Sequence, residues 1–254
     1  MMHILLTNDD GIEAQGINTL RKALSSLGKL TVVAPDRERS ATGHGITLHK
    51  PLRVYKMDYD NCTAYAVTGT PADCVKFAVE ELMDEQPDII LSGINSGSNL
   101  GTDVLYSGTV SAAIEGAIAG IPSIAVSLAL KEEGNYDLAA QIACKIVNKV
   151  IKKGLPEETI LNINVPDIKN TENIDFEITR LGIRRYKDSI EKRVDPRGYE
   201  YYWVAGQITD IECTRNKEIH TDISAIAQNK VSITPVHLDL TNYRIINDLL
   251  TWDI

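Results

Sequence analysis

His3-Ile4-Leu5-Leu6-Thr7-Asn8-Asp9-Asp10-Gly11 opens the chain with an apolar run that stops at two adjacent carboxylates. The run reads as a buried first strand. Side chains alternate across a strand, so Asp9 and Asp10 converge only if the backbone leaves strand geometry, and Gly11 supplies the freedom for that turn. At the carboxyl end of an open α/β sheet the pair would lie where ligands of such sheets bind. Two carboxylates held close repel, so either one takes a proton or a metal ion bridges them. Asn-Asp-Asp-Gly is also ordinary turn composition, and taken alone the segment leaves both readings open.

Outward from this stretch, a strand-then-helix rhythm predicts an α/β fold, a Rossmann-like, mostly parallel sheet with helices on both faces. Ile17, Leu20, Leu24 and Leu27 recur at helical spacing, and Leu30 to Ala34 follows as a second strand. After a long excursion from Pro35 to Lys50, Thr63 to Val67 is a strand, and Thr70, Pro71 and Asp73 open a helix as N-cap, first position and first-turn acid. Asp88 to Ser92 is a short strand, Gly93 to Gly108 a loop, Thr109 to Gly120 a helix and Ser123 to Leu128 a strand. A helix from Asn135 to about Lys152 carries Leu138, Ile142, Ile146 and Val150 on one face. Beyond Leu161 to Val165 the rhythm loosens. Strands are expected at Phe176 to Thr179, Tyr199 to Ile208 and Val231 to Pro235, with Asp222 capping a helix through Ala227 and a short helical tail at the end. This divides the chain into a core, 1–165, carrying the site, and a C-terminal region, 166–254, with antiparallel strands or a hairpin.

The chain has 254 residues, 43% hydrophobic and 24% charged, the composition of a soluble globular protein with a substantial core. A net charge of −9 argues against binding a nucleic-acid polymer, which needs basic surface. An anionic ligand would then need a local device such as a metal ion or a helix N-terminus. Cys62, Cys74, Cys144 and Cys213 form no Cys-x-x-Cys pair or disulfide pattern and read as reduced thiols of a cytoplasmic protein. Met1 to Leu6 is too short for a signal core, and the apolar stretch Ala112 to Leu130 is broken by Glu115 and Pro122, so neither export nor membrane insertion is expected.

Three loops follow strands of the first half and should share one sheet edge. They carry Asp9 and Asp10, then Ser40 and His44 within Ala34 to Gly45, then Asn95 within Ser92 to Gly101. Convergence of Asp9, Asp10, Ser40 and Asn95 would build an all-oxygen site suited to one hard divalent cation, Mg²⁺ or Mn²⁺, and poorly suited to zinc. Separately, Ser40 reads as a loop hydroxyl bonded to backbone and Asn95 as an Asx-turn residue. Ser107, Gly108 and Thr109 open a helix of small residues, where free N–H groups and the dipole would seat a phosphate; an ordinary Ser/Thr N-cap has the same sequence. Neither a P-loop nor a dinucleotide fingerprint is present, which excludes the common nicotinamide dehydrogenases.

Four segments together resemble the SurE (survival protein E) family: Thr7 to Gly11, Val33 to Gly43, Thr68 to Val75, and Ser92 to Asn95 continuing through Gly97-Ser98-Asn99 to Ser107-Gly108-Thr109-Val110-Ser111. The resemblance implies a metal-dependent phosphatase that hydrolyses nucleoside 5′-monophosphates, with a breadth reaching 3′-nucleotides and short polyphosphate. It puts the metal ligands on Asp9, Asp10, Ser40 and Asn95 and the phosphate-holding segment on Ser107, Gly108 and Thr109. It also implies a projecting C-terminal hairpin and an exchanged tail that tie subunits into a homodimer or tetramer. In that scheme a water attacks the phosphate in line, with one of the paired catalytic carboxylates, Asp9 in preference to Asp10, as its proton acceptor. A covalent aspartyl-phosphate is the competing route, and His44 a candidate acid for the leaving oxygen. The adjacency of Asp9 and Asp10 sets aside a haloacid-dehalogenase nucleophile motif, whose aspartates are one residue apart. A nucleotide- or sugar-phosphate-binding module without turnover remains the alternative.

Overall fold

The computed structural model of the chain describes residues 1–130, 134–168, 174–187, 190–204, 206–211 and 218–252. Its core is built from β1 (His3–Thr7), α1 (Gln15–Leu24), β2 (Lys29–Pro35), β3 (Val54–Met57), β4 (Thr63–Val67), α2 (Pro71–Phe77), β5 (Ile89–Ser96), α3 (Gly108–Ile118), β6 (Ser123–Ala129), α4 (Tyr136–Lys153) and β7 (Thr159–Pro166). The C-terminal region supplies β8 (Phe176–Ile178), β9 (Ile183–Lys187), β10 (Ile190–Val194), β11 (Glu200–Val204), β12 (Gln207–Ile211), α5 (Asp222–Ala227), β13 (Val231–His237) and a last short helix, α6 (Ile246–Leu249).

Nine strands form one sheet in the order β3-β4-β2-β1-β5-β6-β7-β13-β8. The six from β4 to β7 run parallel, while β3 pairs antiparallel with β4 and β13 antiparallel with β7. The chain moves from β1 outward to β2 and β4, then returns to place β5 on the other side of β1. Strand order therefore reverses between β1 and β5, and a crevice opens at their carboxyl ends.

Period-two alternation sorts the core. Ile4, Leu6, Ile89, Leu91, Ile124 and Val126 face α1 and α4, whereas Leu5, Ile90 and Val33 face the opposite layer, where α2 packs on α3. The expected face of α4 is buried at Leu138, Ile142 and Val150, and Ile17, Leu20 and Leu24 bury the inner face of α1. Each such aliphatic side chain contributes about 1.5–3 kcal/mol.

Three differences from the expected elements have physical causes. β5 does not stop at Ser92 but continues to Ser96, shifting register against β6 between Ser92 and Asn95, so Asn95 sits on a strand end. Tyr199 to Ile208 is two strands, β11 pairing with β10 and β12 with β9. Thr221, not Asp222, caps α5, its hydroxyl accepting from the Ser224 N–H at 3.1 Å, while Asp222 is the first helical residue. Cys213 lies outside the described residues; Cys62, Cys74 and Cys144 are free thiols. Among the described residues no helix is long and apolar enough to cross a membrane.

Candidate metal and phosphate site

β1 ends at Thr7, and the chain turns at once: the Asn8 amide donates to the Gly11 carbonyl at 2.8 Å, with Gly11 at φ +100°. A side chain at Gly11 would also press on the Arg37 backbone at 3.1 Å, so this turn packs directly on the loop after β2. That loop is pinned along its length. The Asp36 N–H donates to the Val67 carbonyl, the Arg39 N–H to the Asp9 carbonyl at 2.7 Å and the Gly43 N–H to the Tyr106 carbonyl. At its far end the α2 capping box holds it, with Thr70 Oγ donating to the Gly45 carbonyl and Asp73 accepting from Thr47.

The two carboxylates are held from different elements. Asp9, 4% exposed, accepts from the Thr109 N–H at 3.1 Å and the Thr109 hydroxyl at 2.5 Å, so it sits at the N-terminus of α3. A Cβ at Gly108 would come within 2.8 Å of Asp9 Cβ and 2.9 Å of its Oδ2, so glycine is what lets the helix approach this closely. Asp10 accepts from the Ser96 N–H at 3.0 Å, at the end of β5. Burial pushes the Asp9 carboxyl up to about 6, partly offset by its Thr109 hydrogen bonds and reinforced by the Asp10 charge. Burial also raises Asp10, opposed by the Ser96 N–H and aided by Glu38.

Asp9, Ser40, Asn95 and Ser107 line one cavity of about 250 Å³, and Asp10 adjoins it through Ser96, which also lines it. The Asn95 amide nitrogen donates to the Gly97 carbonyl at 2.8 Å, leaving the Oδ1 end of the amide as the neutral oxygen of the set. Ser40 is exposed and its hydroxyl donates to Glu38 at 2.7 Å. A buried and a half-buried carboxylate, both raised by desolvation and set beside neutral oxygens, fit a hard divalent cation, which would relieve both their repulsion and their desolvation. No group of three or more His, Cys, Asp and Glu that could hold a metal ion is present among the described residues.

At the phosphate-holding segment, Ser107 is the N-cap of α3, its hydroxyl accepting from the Val110 N–H at 3.1 Å. Both Thr109 donors go to Asp9, so this residue reaches the site through the carboxylate it holds. His44 turns to Glu115, its Nε2 lying 2.7 Å from the Glu115 carboxylate, and does not line the cavity.

Other participants were not singled out from sequence. Asn99 is buried and locked from the neighbouring strands: Asn164 accepts its N–H, Ser127 its side-chain amide, and Asn162 and Asn164 donate to its carbonyl. The alternating asparagines in Asn162-Ile163-Asn164 were the signal for this. Asp103 and Tyr186 also line the cavity, Tyr186 arriving from β9.

Comparison with known proteins follows the same lines. A family model described as "Survival protein SurE" matches residues 4–188. A protein of Heliobacterium modesticaldum named 5′-nucleotidase SurE is 52% identical over 253 residues, covering 99% of this chain and 92% of its own length. One of the same name from Carboxydothermus hydrogenoformans is 54% identical over 257 residues, covering 99% and 96%. The crystal structure of the SurE protein from Aquifex aeolicus superposes with a TM-score of 0.82 at 45% identity, over 97% of this chain and 98% of that one.

Proposed function

The chain belongs to the survival protein SurE family, and from that premise we propose that it is a divalent-cation-dependent 5′-nucleotidase, releasing inorganic phosphate from nucleoside 5′-monophosphates. The observation that carries the reading is the seating of Asp9, a buried carboxylate at a helix N-terminus with Ser40 and Asn95 lining the same cavity.

In this reading Asp9, Asp10, Ser40 and Asn95 hold one Mg²⁺ or Mn²⁺ per subunit. When bound, the cation supplies Lewis-acid polarisation of the phosphoryl group and lowers the pKa of a nearby water. Asp9 accepts the proton of the attacking water, its carboxylate kept in place by Thr109. Ser107, Gly108 and Thr109 set the start of α3, whose dipole and Gly108 N–H, the first-turn donor not taken by Asp9 or Ser107, stabilise negative charge on the phosphoryl oxygens. Any substrate with a terminal phosphate reaches this machinery, so 3′-nucleotides and short polyphosphate fall within its scope.

Association into a homodimer or tetramer through the C-terminal hairpins and tail is part of the proposal. The exposed Leu240, Tyr243, Leu250 and Trp252 support it. The free thiols support a cytoplasmic location.

The deciding experiment is phosphate release from AMP and GMP by metal-stripped protein, with Mg²⁺, Mn²⁺ or Zn²⁺ restored separately and Asp9→Asn as control. Turnover restored by Mg²⁺ or Mn²⁺ and absent from the variant is expected. Nucleotide binding without phosphate release under any metal would replace the enzyme with a binding module.

A further inference from the structure

The lining of the cavity is graded. Asp9 and Ser107 are 4% and 6% exposed, whereas Tyr106 and Tyr186 are 64% and 48% exposed and are the two large rings in a lining that is otherwise small or polar. At about 250 Å³ the cavity is smaller than the roughly 300–1,000 Å³ of pockets that enclose a whole ligand. It has room for the phosphate end of a substrate and leaves the remainder against the rim.

Both rings stand on fixed backbone. The Tyr106 carbonyl accepts from the Gly43 N–H at 3.0 Å and its N–H donates to the Asp103 carbonyl at 2.9 Å. Tyr186 lies two residues beyond Arg184, whose guanidinium donates to Asp103 at 3.1 Å with both side chains largely buried. The Thr102 hydroxyl donates to the Arg184 carbonyl. Below them, the buried Asp222 carboxylate accepts from the Gly101 N–H at 2.7 Å and the Gly182 N–H at 2.8 Å. The strand that presents Tyr186 is thus clamped to the loop that presents Tyr106, so little ordering is left to be done when a ligand arrives.

We infer that Tyr186, with Tyr106, forms an aromatic rim that stacks the nucleobase, making Tyr186 a specificity-determining residue that separates nucleotides from phosphate esters without a base. The inference rests on the nucleotidase reading. Stacking uses a π-face that every base has, so the rim tolerates different bases while favouring substrates that carry one. Because the ring would meet the base and not the transferred phosphate, its contribution is to binding and appears in KM.

The test compares the parent with Tyr186→Ala and Tyr186→Phe, measuring kcat and KM for AMP and the inhibition constant of inorganic phosphate. Tyr186→Ala is expected to raise the KM for AMP about tenfold, as loss of one stacking ring does, with kcat and phosphate inhibition unchanged. Tyr186→Phe, which keeps the ring, is expected to match the parent. An unchanged KM in the alanine variant overturns the inference, as does a parallel rise in KM and the phosphate constant, which marks general damage to the site. A parent that releases no phosphate from AMP overturns the nucleotidase reading instead.

Discussion

In the metal-free protein, Asp9→Asn is expected to raise stability while it abolishes turnover. Burial lifts the Asp9 carboxyl from 3.8 to about 6. Below pH 4 the group is protonated in both folded and unfolded chains and imposes nothing. Between about 4 and 6 the folded form keeps a proton that the unfolded form has released, so stability falls as pH rises. Above about 6 the loss is complete, and about two pKa units at roughly 1.36 kcal/mol each give about 3 kcal/mol. Asparagine removes this charge and preserves the contacts, because its oxygen accepts the Thr109 N–H while its amide donates to the Thr109 hydroxyl. The assay is urea unfolding in chelator at pH 5 and pH 8. At pH 8 the variant should exceed the parent by up to about 3 kcal/mol, equivalent to a thermal midpoint about 6–12 °C higher, with a smaller margin at pH 5. Saturating Mg²⁺ or Mn²⁺ should restore the parent, by about 2.7 kcal/mol at a hundred times the dissociation constant, and leave the variant unmoved. A variant no more stable than the parent at pH 8, or a margin independent of pH, would refute the claim that the charge on Asp9 is held at a cost in free energy until a cation arrives.

Gly108→Ala forces a methyl into the space beside Asp9; calorimetric metal titration should show weakened cation binding, and unfolding a loss of about 1–3 kcal/mol. Asp222→Ala leaves the Gly101 and Gly182 N–H groups without their acceptor, and urea unfolding should register a loss of about 3 kcal/mol. His44→Gln should lower kcat by less than about tenfold, since His44 pairs with Glu115, whereas a general acid's loss would cost about 10²–10⁴; steady-state kinetics across pH distinguishes the two.

How far the sequence revealed the molecule depends on how local each cause is. Asp9, Asp10, Ser40 and Asn95 could be grouped in advance because loops that follow parallel strands must emerge at one edge. The helix starts at Thr70 and Ser107 were legible because a cap acts within four residues. β3 went unseen because Val-Tyr-Lys-Met at a sheet edge is half-exposed and carries no clean alternation. β9 and β10, Ile-Arg-Arg-Tyr-Lys and Ile-Glu-Lys-Arg-Val, are largely solvated and give no burial pattern to read. Sequence alone puts Asn95 in a loop because the glycine before the strand's last residues looks like a stop, whereas β5 shifts register there and resumes. Tyr186 was out of reach, since its place on the rim of the cavity depends on Arg184 meeting Asp103 across 81 residues and Asp222 meeting Gly101 across 121.

That long-range clamp has an implication for how such proteins diversify. The groups proposed to cleave phosphate come from a strand end, the loops after β1 and β2 and the start of α3, all positioned by the central sheet, while the ring proposed to meet the nucleobase comes from an appendage fastened at Gly101 to Asp103. The cutting edge and the selector are therefore separate modules joined at one seam. A relative's hairpin, transplanted with its matching arginine and aspartate, should bring its own substrate preference to an unaltered hydrolytic centre.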